Sequence, residues 1–379
     1  MAGASRLTDG RLLPAGAGYA VLHSKASSRS TELIDFHAIV AGANSGSQSG
    51  ENRRFVISSG TPVGAAEFRA SLDRHGADLA RAGERTISMP TPTLNLVCES
   101  KIRDLMPGDR LPKRWEASGV LVRDRHFFVV FDDRTEIARL SDDLQPSNSN
   151  RLFGMAHAVF CGYEGITYNA IKQRFYLLVE ARKQRSGYYQ ASIVEYDHEF
   201  KYLKDRPVDF TLKSVNKGFE AVAHVRRENK DFLLALCEGN KCKCGAKGRK
   251  PGGGRVQVFE KRRKRWRHSR AIKLPPTVPF VDYSGMSLND GRVAIVSQVN
   301  SMLWVGQFDE ASWTWRDAGQ LYEFPRADNG AIRYGNIEGV GWITPTRVVA
   351  VSDRRKKKDQ PDKNLSEKDQ SIHIFDIPS

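Results

Sequence analysis

Five times along the chain, one β-rich stretch opens on a Ser/Glu–Gly/Ala pair and a second closes on an acid or its amide. The opening pairs are Ser118-Gly119, Glu164-Gly165, Glu220-Ala221, Ser284-Gly285 and Glu338-Gly339. The closing residues are Asp132, Glu180, Glu238, Gln298 and Asp353, at the ends of FFVVFD, FYLLVE, LLALCE, VAIVSQ and VVAVSD. Opening and closing anchors lie 14, 16, 18, 14 and 15 residues apart, which accommodates two strands and a tight turn. Copies recur after 46, 56, 64 and 54 residues. A self-similar unit of about 50 residues built from short strands and polar turns is the pattern of a propeller or array.

Most copies carry two further apolar runs, such as SIVEYDHEF followed by YLKDRPVDF. Four strands per copy, A to D, make a propeller blade. The last copy ends at SIHIFDIP without a D strand, so a strand from the N-terminal side is expected to close the ring. Thr93–Cys98 is the candidate. Closure matters because an open ring leaves an unpaired sheet edge. The expected fold is therefore all-β, a propeller of four-stranded blades over residues 90–379. Residues 1–89 read as strands at Tyr19–His23, Thr31–Val40 and Arg54–Ser59 and a helical pattern over Ala65–Ala82. They form either a degenerate sixth blade or a small appended segment, and six blades is the preferred count.

Charge narrows the function classes. The net +15 is carried by Lys241–Lys250, Lys261–Arg267 and Arg354–Lys358, which together hold 16 basic residues and no acid. The rest of the chain is close to neutral, which argues against a nucleic-acid groove and for local attraction of an anion. No apolar run is long enough to span a bilayer. The N-terminal patch is a poor secretory signal, and a cytoplasmic monomer is expected. Five cysteines set no disulfide framework. Cys237, Cys242 and Cys244 lie too far from a second Cys/His pair for a four-ligand zinc site, so a metal-free Cys-rich loop is expected.

If A starts on one face and B returns to it, all the anchors meet at one rim of the channel. That rim gathers Glu164, Glu220, Glu338, Asp132, Glu180, Glu238 and Asp353. Seven carboxylates around a narrow opening cannot all stay ionised and unpaired. A hard cation with oxygen ligands, pairing with Arg or Lys, or hydrogen bonds between blades would each resolve the conflict. Arg134, Arg182, Lys241 and Arg354 follow the B strands on the same face and are candidates to orient an anionic ligand. His157 sits either packed at a blade crossing or facing the rim as a general base near Glu164. His224 lies four residues past Glu220, and even strand spacing predicts a channel-lining side chain.

The anchors in ASGVLVRDRHFFVVFDD, YEGITY, FEAVAHV, YSGMSL and IEGVGW resemble those of the phytase-like esterase and SdiA-regulated group of bacterial β-propellers, over residues 90–379. The resemblance implies a propeller with a calcium site, or a site for another divalent cation, and hydrolysis of an ester or phosphoester. Ala221 in place of Gly and Gln298 in place of an acid depart from that pattern. The reading is thus a metal-dependent hydrolase with Glu164, Glu220, Glu338, His157 and His224 as catalytic candidates. The alternative is a non-catalytic platform that holds a protein or polyanion on its basic rim loops.

Overall fold

The computed structural model describes residues 90–108, 111–154, 162–213, 218–354 and 368–378, and for Glu180 the backbone alone. The strands and helix expected within residues 1–89, and any sixth blade built from them, lie outside the described residues.

The described chain opens with β1 (Asn95–Lys101) and one helical turn, α1 (Ile102–Leu105). Blade one is β2 (Ala117–Arg123), β3 (His126–Phe131), β4 (Ile137–Ser141) and β5 (Arg151–Phe153). Blade two is β6 (Tyr163–Asn169), β7 (Arg174–Lys183), β8 (Tyr189–Asp197) and β9 (Tyr202–Asp209). Blade three is β10 (Phe219–Arg227), β11 (Lys230–Cys237), β12 (Arg255–Lys261) and β13 (Trp266–Lys273). Between its B and C strands a 3-10 turn (Asn240–Cys242) and α2 (Gly245–Gly248) shape the long connection. Blade four is β14 (Gly285–Asn289), β15 (Arg292–Ser297), β16 (Met302–Asp309) and the short β17 (Thr314–Trp315) and β18 (Gln320–Glu323). Blade five is β19 (Ile337–Thr344), β20 (Arg347–Ser352), β21 (Ser371–Asp376) and β1, which pairs antiparallel with β21.

Within each blade the strands run antiparallel; the B strands are buried on both faces, and exposure returns in outer strands such as β9 and β13. The A–B hairpins turn on residue pairs with positive φ, such as Asp124-Arg125, Glu228-Asn229 and Asp290-Gly291, the geometry that matches strand twist. Five apolar clusters fill the spaces between blades, one for each neighbouring pair, and the fifth joins blade five to blade one through Val349, Val351, Ile372, Val120 and Val129. The described ring is therefore closed by five blades. Blades two and three also touch at their outer edges, where β13 runs parallel to β9 for two residues.

The inner strands approach too closely for side chains. A Cβ on Gly339 would lie 2.8 Å from the Gly119 Cα, and one on Gly119 would lie 3.0 Å from the Gly165 Cα. A Cβ on Gly165 would sit 3.1 Å from the Ala221 Cα, and one on Gly285 2.7 Å from the Glu338 carbonyl oxygen. This is why each copy places Gly or Ala after its anchor.

The closing strand is held by a polar relay. The Glu99 carboxylate on β1 accepts from His373 Nδ1 (2.9 Å), the Tyr334 hydroxyl (3.1 Å) and Lys368. His373 Nε2 faces the Ser352 hydroxyl at 3.2 Å. Burial, with Lys368 and Lys101 nearby, drives the imidazole down to about 3, so it is neutral and can donate to Glu99 while accepting from Ser352. Ser352 is 2 % exposed and its hydroxyl also reaches the Lys368 carbonyl. This Ser–His–Glu series therefore fastens the D strand across the blade, with the hydroxyl buried within it.

Gly339→Ala is expected to destabilise the ring by about 1–3 kcal/mol through overpacking. Ala221→Gly should cost about 1 kcal/mol or less. Urea denaturation of both variants checks this, and an unchanged midpoint for Gly339→Ala would mean that the inner strands can move apart.

Candidate functional site

Each anchor pair has a local cause. The A–B ladder skips one residue at the start of four blades, between Ala117 and Gly119, Tyr163 and Gly165, Phe219 and Ala221, and Ile337 and Gly339. The skipped residues are Ser118, Glu164, Glu220 and Glu338. A β-bulge re-aims the side chain of its extra residue, and here it does so at the same level in each of these blades. The B-strand acids return to that level through backbone bonds: Asp132 N donates to the Glu116 carbonyl, Glu238 N to Gly218 and Asp353 N to Asn336. Both anchors of a blade thus meet at one rim.

The channel there is lined by Ser118, Glu164, Glu220, Glu338 and the residues that follow each of them, around a cavity of about 10 Å3, room for about one water. The serines and the acids behave differently. Ser118 donates to the Tyr163 carbonyl of the next blade, and Ser284 donates to the Ile337 carbonyl at 2.7 Å. These hydroxyls are ties between blades. The acids form an electrostatic cluster instead. Glu338 is raised well above the usual carboxylate range, first by burial and then by the charges of Asp353, Glu220, Asp132 and Glu238. Asp353 is pushed up to about 8 by burial, and Asp132, Glu116 and Asp369 add to this against the lowering effect of a hydrogen bond from its neighbour's backbone N–H. Glu116 and Asp369 were not singled out by the repeat. Glu116 stands two residues before the Ser118 anchor, and that even spacing is the one signal for it in the sequence.

Arg354 lies half-buried directly behind Asp353, to whose carboxylate its backbone N–H donates. Lys241 is exposed on the blade-three loop. Arg182 is half-buried beyond an irregularity in β7. Arg134 is committed elsewhere: its guanidinium lies 5.2 Å from the Trp115 ring and donates to the Arg114 carbonyl. His157 and residues 355–367 lie outside the described residues, as does the Glu180 side chain.

His224 does not line the channel as expected. The bulge at Glu220 shifts strand parity, and His224 turns between blades two and three, where Nε2 lies 3.1 Å from Asn169 Nδ2 and 3.3 Å from Asp231 Oδ1. Burial alone would raise the Asp231 carboxyl, but hydrogen bonds from His224 and Lys172 outweigh it and hold the group well below its usual range. His224 is a member of a buried polar contact between blades. The blade-three loop also differs from expectation, because Cys237 and Cys242 are joined in a disulfide while Cys244 is free and exposed. Asn240 organises this loop from inside: its amide donates to Gly248 and Phe280 carbonyls and accepts from Gly253 N and the Tyr283 hydroxyl.

The rim supplies hard oxygen donors, the right chemistry for calcium. Among the described residues, however, no three His, Cys, Asp or Glu side chains are grouped so as to hold one ion. What the arrangement does establish is mutual repulsion, which protons or a cation can relieve.

No protein-family model matches the chain, and no curated protein matches its sequence. Solved structures with similar folds include the glutaminyl cyclase of Myxococcus xanthus, 12 % identical over 77 % of this chain and 100 % of that one, with a TM-score of 0.42. The WD40 repeats of RRP9 are 12 % identical over 76 % of this chain and 99 % of theirs, with a TM-score of 0.38. RS223-β-xylosidase is 9 % identical over 70 % of this chain and 93 % of its own, with a TM-score of 0.41.

The raised Asp353 carboxyl fixes the sign of a pH dependence. Between about pH 4 and about 8 the folded state holds a proton that the unfolded chain has released, so this group's contribution to stability falls as pH rises through that window and then levels off. Asp353→Asn should flatten the decline and be the more stable protein at pH 9 by at least about 1 kcal/mol. Melting curves from pH 5 to 9 read this out, and parallel profiles for the two proteins would refute it.

Proposed function

We propose that the carboxylate-lined channel mouth is the working site of a hydrolase for an anionic ester or phosphoester, with calcium or another divalent cation as its cofactor. The observation that carries the reading is the convergence of Glu338, Glu220, Asp132, Glu238 and Asp353 on one level, where burial raises the Glu338 carboxyl and the neighbouring charges raise it further. Such a cluster keeps protons when no cation is present and exchanges them for one when it binds. Glu164, Glu220 and Glu338 would serve as inner oxygen donors, supported by Asp132, Glu238 and Asp353, and since these described residues are not grouped around one point, an ion would have to draw them together.

A bound divalent cation would supply Lewis-acid polarisation of the ester oxygen. The chain's own residues do the rest. Lys241 and Arg354 draw the anionic group to the mouth, and the narrow channel keeps the ligand at its entrance. The resemblance of the anchors to the phytase-like esterase group supports the same reading.

Two measurements test it. Calcium added at pH 7.5 should release protons, seen as a buffer-dependent heat of binding, and Glu338→Gln should reduce that release. In a panel of phosphoesters and carboxyesters, Glu220→Gln and Glu338→Gln should each lower turnover by about 100-fold or more. Turnover that survives both substitutions would remove the mouth from the chemistry.

A further inference from the structure

The positive charge of this protein is concentrated on one blade. Residues 219–284 hold 17 Lys and Arg against 6 Asp and Glu, a net +11 of the chain's +15. Read along the sequence, the basic runs Lys241–Lys250 and Lys261–Arg267 belong to opposite faces of the ring, which argues against one continuous track. The fold joins them. The C–D turn of blade three presents Arg262, Arg263, Lys264 and Arg265, all exposed. From it β13, the outermost strand, climbs the height of the blade with Arg267, Arg270 and Lys273 exposed. Its end is tied to the insertion loop by a bond from Leu274 N to the Gly254 carbonyl. That loop, held rigid by Asn240, exposes Lys241, Lys243, Lys247, Arg249 and Lys250.

Acids answer only part of this charge. Glu260 pairs with Arg262 and Arg267, and Asp209 with Arg265. Among the described residues no ion pair involves Arg263, Lys264, Arg270 or Lys273. Eight strand residues rise about 25 Å, and the extra residue at Ser269 leaves Arg267 and Arg270 on one face of this edge strand and Lys273 on the other, so the cationic groups flank the edge on both sides. Beyond its two-residue contact with β9, β13 has β12 as its ladder partner on the inner side alone. Two core-packed tryptophans of blade four lie beside this edge. The half-buried Trp315 indole donates to the Lys273 carbonyl at 2.7 Å, and Trp313 lies 5.9 Å from the Arg270 guanidinium.

We propose that the outer edge of blade three binds the sugar–phosphate backbone of a single-stranded nucleic acid, laid along β13 from the C–D turn to the insertion loop. Six arginines and six lysines stand along this track, and the planar fork of the arginines recognises phosphate oxygens in pairs. A track one strand wide is too narrow to cradle a duplex, whereas a single strand can follow it. Lys241 is the one residue shared with the channel mouth, and binding does not depend on any activity there.

The test uses the full-length chain and a fluorescein-labelled 20-nucleotide oligothymidylate, with anisotropy read between 50 and 200 mM salt. Binding should weaken as salt rises. Arg270→Glu combined with Lys273→Glu should raise Kd at least tenfold, and Arg270→Ala with Lys273→Ala should make the log–log salt slope shallower by about 1.4. All four substitutions lie at exposed positions, and an unchanged melting temperature confirms folded variants. Absence of binding at 50 mM salt, equal affinity for the charge-reversed protein, or equal affinity for polyglutamate of matched charge would each overturn the proposal.

Discussion

The architecture depends on how closely five inner strands can approach around one axis. With only five blades, the backbones beside the anchors come within van der Waals contact, and a Cβ at Gly339 or Gly285 would meet a neighbouring main chain. Small residues there are the condition for closing the ring. The bulge one residue earlier is tied to the same place, since it turns the anchor side chain out of the ladder at the level where the strands are tightest. Packing therefore determines where the chemistry sits. A ring that could not bring Gly119, Gly165, Ala221, Gly285 and Gly339 together could not bring Glu164, Glu220 and Glu338 to one mouth either.

Repetition of an anchor does not mean repetition of its role. Ser118 and Ser284 spend their hydroxyls on the next blade's carbonyl and act as ties. Glu338, at the equivalent position, is surrounded by other carboxylates and carries the electrostatic strain of the mouth. A neutral short side chain can close a backbone gap, whereas a longer acidic one reaches past it into the channel. The five-fold repeat thus yields an uneven rim, with acids on blades two, three and five and hydroxyls on blades one and four.

The propeller was legible because the anchors mark both strand ends at matched offsets in each copy. So was the meeting of the two anchors at one rim, which follows from hairpin geometry alone. His224 shows where such reasoning stops. Counting by twos from Glu220 is sound only along an uninterrupted ladder, and the bulge at that residue reverses the side on which His224 emerges. The Cys237–Cys242 disulfide was equally hidden, because five-residue spacing says nothing about a loop whose path is set by the buried Asn240. The preferred sixth blade rested on residues 1–89, while closure by five depends on the space between Val349 and Val129, a long-range fact that no local pattern carries.

Charge gives the same lesson on a larger scale. A count along the chain separates Lys241–Lys250 from Lys261–Arg267 and assigns them to turns on opposite faces. In the folded blade, the C–D turn, β13 and the B–C loop form one edge, because β13 begins at the first and ends beside the last. Like charges gathered in this way raise the free energy of the folded state unless something of opposite sign is near. Within the protein the relief is partial: Glu260 and Asp209 answer three of the arginines, and Lys261 turns inward to Glu195 at 2.9 Å. The channel mouth presents the opposite imbalance, with carboxylates crowded until Asp353 holds its proton to about pH 8. The two surfaces lie on one molecule but do not neutralise each other, since the acids are recessed at the axis and the cations stand on the perimeter. At distances beyond about 10 Å in physiological salt, solvent ions screen one from the other. Each is left with a charge that an external partner of opposite sign can satisfy, a small cation at the centre and an extended anion at the edge.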